Sequence, residues 1–178
     1  MGRQKTAGTT MIELLMAMIV LGVLGSLAAP AWGRLLEHSR VQAADQAFVS
    51  ALHLARESAA RSGARALVCP STDGTHCVDD GHWDAGWIVA LDRNRDSQPD
   101  GQPLLRSDRD STRLRIQSSS GRPRVIFQAD GSAGGSNVTV LICRPGGRSG
   151  RGIVVSNSGR IRQTGLTGAQ LRTCLADT

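Results

Sequence analysis

Three sets of residues have the types and spacing to do chemistry. The first is Gly8-Thr9-Thr10-Met11-Ile12-Glu13, a lone carboxylate five residues after a glycine. It stands at the mouth of a run, Leu14 to Gly33, that holds 20 residues and no charged side chain. A charge at the centre of a bilayer-spanning helix costs roughly 2.5–3.5 kcal/mol, so Glu13 needs an interfacial position or a partner. Cleavage after Gly8 would supply that partner as a new α-amino group at Thr9. The carboxylate also falls in a first helical turn, where the helix dipole favours it. The second set is arginine. From Cys143 to Thr178 there are six arginines and one acid, Asp177. Gly146-Gly-Arg148-Ser-Gly-Arg151-Gly makes a flexible arginine loop, and Gly159-Arg160-Ile161-Arg162 follows a turn. Strand alternation puts Arg160 and Arg162 on one face with Ile161 toward the core. Guanidinium groups so placed can bridge adjacent phosphates.

The third set is four cysteines, Cys69, Cys77, Cys143 and Cys174. An even count on the exported side of a membrane implies two disulfides, for which three pairings exist. Cys69–Cys77, closing a polar loop, and Cys143–Cys174, tying down the C-terminal tail, are favoured. Zinc is the rival, because His76 and His82 lie near the first pair, but Cys-x7-Cys-x4-His fits no standard zinc site. Asp92-Arg-Asn94-Arg-Asp96-Ser-Gln-Pro-Asp100 spaces oxygen donors as calcium loops do. It lacks the closing Glu and central Gly, and Arg93 and Arg95 oppose a cation, so a solvated turn is the better reading. No nucleophile elbow, phosphate loop or His-Glu-x-x-His is present, and His38 and His53 adjoin no nucleophile. The pattern is that of a non-enzyme with no cofactor.

Elements must hold these residues in place. The chain has 178 residues, which beyond a leader and an apolar segment suits one small domain. Val41, Ala44, Phe48, Leu52, Ala55 and Ala59 recur at spacings of three and four, so one helix is expected from about Thr10 to Ser62. Its first half is apolar all round and its second half amphipathic, with Pro30 removing one internal hydrogen bond. After Gly63 come short β-type runs: 66–69, 87–91, 114–117, 125–128, 138–143, 152–156 and 160–163. Asn157-Ser158-Gly159 looks like a hairpin turn. The expected fold class is α+β, a long N-terminal helix (a membrane half and an amphipathic half) packed on a small, mostly antiparallel β domain. Of the basic residues 20 are Arg and only Lys5 is Lys, a bias that codon composition can produce, so placement and not count decides what the arginines do.

The glycine, Glu13, the apolar run and Pro30 together resemble the N-terminal signal of type IV pilins and of type II secretion pseudopilins. Cys69 to Cys77, then Trp83-Asp-Ala-Gly-Trp87 and Asp92, resemble the FimT/GspH family within that group. The resemblance implies a type IV pilin-like fold with four parts: a leader (1–8), a transmembrane and assembly half of the helix (9–33), an amphipathic half (34–63) and a periplasmic or extracellular β domain (64–178). It implies cutting by a prepilin peptidase between Gly8 and Thr9, methylation of the new N-terminus, and assembly with other pilins or pseudopilins through Glu13, Pro30 and the helix. Thr9 departs from the usual Phe or Met. The implied location is the bacterial inner membrane, single-pass, and then a pilus or pseudopilus. Gly159-Arg160-Ile161-Arg162 is similar to the motif by which FimT-like minor pilins bind DNA in natural transformation. That implies double-stranded DNA as partner, with Arg160 and Arg162 central and Arg148 and Arg151 as helpers. The chain has no Tyr and this segment no Phe, so contact would be to phosphates with weak sequence preference. Four arginines on four phosphates give a log K against log salt slope of roughly −3.6. The alternatives are a GspH-type minor pseudopilin of type II secretion, in which these arginines are interface residues, and an assembly-priming pilin with no DNA ligand.

Overall fold

The computed structural model describes residues 10–107, 114–119, 121–147 and 150–176, with no side chains given for 27–37. The chain divides into two units, one up to Ser39 and one from Arg40 onward. Helix α1, Met11–Ser62, starts in the first and ends in the second. It stops where Ser62 meets Gly63, whose φ of 63° is the left-handed geometry that closes helices.

Eight strands follow among the described residues: β1 (Arg65–Pro70), β2 (Trp87–Asp92), β3 (Leu105–Ser107), β4 (Arg115–Ser118), β5 (Val125–Phe127), β6 (Val138–Cys143), β7 (Gly150–Val155) and β8 (Ile161–Gly165). A helix α2, Gly168–Ala176, follows them. The strands form two four-stranded antiparallel sheets, ordered β3-β2-β1-β5 and β4-β6-β7-β8. Of the α1 stripe, Val41, Phe48, Leu52, Ala55 and Ala59 are buried and Ala44 is half-buried. They meet inward residues of both sheets, among them Val68, Phe127, Ile142 and Ile153. Phe48 seats the aromatics: its ring lies 5.0 Å from that of Trp83 and 5.3 Å from that of Trp87, both edge-on.

One expectation is corrected. Among the described residues no helix is long and apolar enough to cross a membrane. Between Met11 and Ser26 the apolar side chains are diluted by Glu13, Gly22, Gly25 and Ser26. The fold is α+β; the membrane-spanning half expected over 9–33 is not found among the described residues, and the single-pass inner-membrane location expected from it is not supported.

Candidate interaction surface on the β7–β8 hairpin

β7 and β8 are joined by a tight turn. Gly159 donates to the Ser156 carbonyl at 2.8 Å, and Ser156 N–H donates to the Arg160 carbonyl at 3.0 Å. Gly159 is required twice over. Its φ is 76°, and a Cβ there would stand 2.0 Å from the Gly131 carbonyl oxygen. That same carbonyl accepts a 3.0 Å hydrogen bond from Arg56 Nε on α1, so helix, loop and hairpin turn are pinned at one point.

Register sorts the side chains of the hairpin. Ile153 opposes Gln163 and Val155 opposes Ile161, while Gly152 opposes Thr164 and Val154 opposes Arg162. Ile153 and Val155 are in the core, so Arg151, Ile161 and Gln163 share the face turned toward α1. There Gln163 Nε2 donates to Asp45 Oδ2 of α1 at 2.8 Å. Asp45 is 2 % exposed, and its Oδ1 has no hydrogen-bond partner. Burial raises the Asp45 carboxyl above its ordinary value, while the charge of Arg151 and the Gln163 hydrogen bond pull it down.

The opposite face carries Arg160, Arg162 and Thr164, all exposed. Neither Arg160 nor Arg162 has an ion pair or side-chain hydrogen bond among the described residues. Farther along this face the chain's own tail covers the sheet. Leu166 sits over two glycines: a Cβ on Gly150 would be 2.6 Å from Leu166 Cδ1, and one on Gly152 3.2 Å from Cδ2. Leu171 and Leu175 of α2 join Leu166 against Leu141 and the Cys143–Cys174 disulfide. The second disulfide, Cys69–Cys77, closes the loop after β1, which leaves no thiolate for zinc.

The expected arginine cluster is therefore split. Arg160 and Arg162 share one face; Arg151 faces the buried acid on the other, and Arg148 lies outside the described residues. Gly8 and Thr9 also lie outside them. Glu13 is exposed, and its Oε2 accepts from the N–H and hydroxyl of Thr10 at 3.3 and 3.4 Å, the glutamate half of a capping box at the start of α1. Pro30 lies within α1, among residues whose side chains are not given. Asp45 and Gln163 are 118 positions apart, and no sequence signal joins them. Helix α2 did have one: Thr167 and Gln170 bond reciprocally at 2.9 and 3.3 Å, a capping box legible as Thr-x-x-Gln.

The helix stripe packs against two antiparallel sheets, and no group of three or more His, Cys, Asp or Glu is arranged for a metal among the described residues. The type IV minor pilin FimU of Pseudomonas aeruginosa (strain PAO1) has this fold. Its P21 crystal form matches with a TM-score of 0.59 and 21 % identity, over 72 % of this chain and 90 % of that one. The P65 form gives 0.55 and 21 %, over 69 % and 91 %. The family model for type II transport protein GspH matches residues 44–159, about two thirds of the sequence. The chain belongs to the GspH family of minor pilins and pseudopilins, which are structural proteins and not enzymes. No curated protein matches it.

Proposed function

We propose that this chain is a GspH-type minor pseudopilin, a subunit of a type II transport apparatus that works by docking to other pilin-like subunits. Besides the family match, the N-terminal part of α1 supports this reading. Met11, Ile12, Leu15, Ile19 and Leu24 are each more than half exposed, with the intervening large residues similarly bare. A continuous apolar surface of this kind calls for a covering partner. Processing after Gly8, with Thr9 as the new N-terminus and Glu13 and Pro30 serving assembly, belongs to the same proposal. Intact mass of the assembled protein tests it through loss of residues 1–8 and gain of one methyl group.

The test of docking is cross-linking of the full chain with the pilin-like subunits of its own cell. An Ile19→Glu variant should lose the cross-links; retention of all of them would refute assembly through this helix.

A second reading, DNA capture, is favoured by one observation: two unpaired guanidinium groups share the outer face of the hairpin. With Arg151 turned to Asp45, the described part of the site offers two arginines. The double variant Arg160→Ala, Arg162→Ala should then flatten the log K against log salt slope for duplex DNA by about 1.8. No binding at low salt, or an unchanged slope, would remove this reading.

A further inference from the structure

We infer that the free edge of β8 is a docking site for an extended acidic segment of a partner subunit, which adds to the β4-β6-β7-β8 sheet as its next strand. The inference rests on the assembly reading above. β8 is terminal in its sheet, and no strand pairs with its far side among the described residues. Helix α2 packs on β6 and β4, at the other end of the sheet.

Hydrogen-bond alternation shows which groups are on offer. Ser156 and Arg160 form a bonded pair across the turn. In an antiparallel ladder bonded and non-bonded pairs alternate, so Arg162 and Thr164 also direct their backbone groups to β7. Ile161 and Gln163 then direct theirs outward, N–H and C=O alike. The Gly165 carbonyl also lies on this side but already accepts from the Thr164 hydroxyl at 3.2 Å. Neither Pro nor a bulge protects the strand, and its one charge, Arg162, points off the sheet face without blocking the edge.

Charge fixes the occupant. Arg160 and Arg162 stand two residues apart on the outer face, and an added strand would bring its own i and i+2 side chains beside them. Acidic residues at those two positions would complete both arginines. A second copy of this chain is a poor candidate, because its net charge is +6. Strand addition also explains why the arginines sit at the edge: backbone bonds supply affinity, and the alternating charges set register and partner.

The test uses the full chain and three ten-residue probes: alternating Glu-Val, alternating Lys-Val, and Glu-Val N-methylated at every second amide. The Glu-Val peptide should bind and slow amide exchange at Ile161 and Gln163. Binding should fall about tenfold in an Arg160→Glu, Arg162→Glu variant and by at least about tenfold with the N-methylated probe. The Lys-Val peptide should not bind. Unslowed exchange at Ile161 and Gln163, or equal binding of the N-methylated probe, would overturn the inference. So would duplex DNA binding to the arginines while the Glu-Val peptide leaves the edge unprotected. None of these outcomes touches the cross-links made through α1, so the inference can fail while the assembly reading stands.

Discussion

The two faces of the β7–β8 hairpin differ more than the sequence of either strand suggests. On the α1 side, Arg151, Gln163 and Ile153 meet a buried carboxylate and the hydrophobic core. On the other side, Arg160 and Arg162 meet water. Each arginine's role follows from its parity in the strand and not from the local density of positive charge. One guanidinium offsets part of the cost of burying Asp45, and two remain for something outside the molecule.

The contrast can be tested in order of expected effect. Ile153→Ala, on the buried face, should lower the unfolding free energy by about 3 kcal/mol, read by urea denaturation. Gly159→Ala, at the turn that holds the faces apart, should cost on the order of 2 kcal/mol or more, because a positive φ and a close carbonyl both oppose a methyl group. Asp45→Asn tests the buried acid through pH. The folded carboxyl is raised above its ordinary 3.8, so its stabilising contribution is complete below that value and is lost as pH rises through the folded value. Denaturation midpoints compared from pH 7 down to pH 3 should therefore move in favour of the wild type. An equal response of both proteins would show that Asp45 is not held in the raised state. Arg160→Ala with Arg162→Ala should leave stability within about 0.5 kcal/mol and change only ligand binding. A larger loss would mean that the outer face is structural after all.

Period was what the sequence made legible. The α1 stripe from Val41 to Ala59, and the alternation that separates Ile161 from its flanking arginines, both appear in the structure because 3.6 and 2.0 are properties of the backbone. Short or tertiary features were harder. β3 is three residues long and exists because β2 pairs with it, and no local pattern announces so short a strand. α2 was missed although Thr167 and Gln170 mark its start, because its apolar content is Leu171, Cys174 and Leu175 alone. The Arg151–Asp45 relation was invisible: only the folded sheet brings β7 to that turn of α1. The membrane-spanning expectation failed for a different reason. An uncharged run was counted by length alone, and among the described residues no helix is long and apolar enough to cross a membrane.

The seat of Leu166 on Gly150 and Gly152 has a consequence for how the protein is made. Until the ribosome has released Cys174, nothing covers Leu141 and the paired glycines, so the nascent sheet must wait with an oily strip uncovered. Pairing of Cys143 with Cys174 then waits for the end of the chain and ties down the tail that covers the strip. A chain cut short ahead of Leu166 would keep every strand and still carry that strip bare, which makes it a natural client for chaperones.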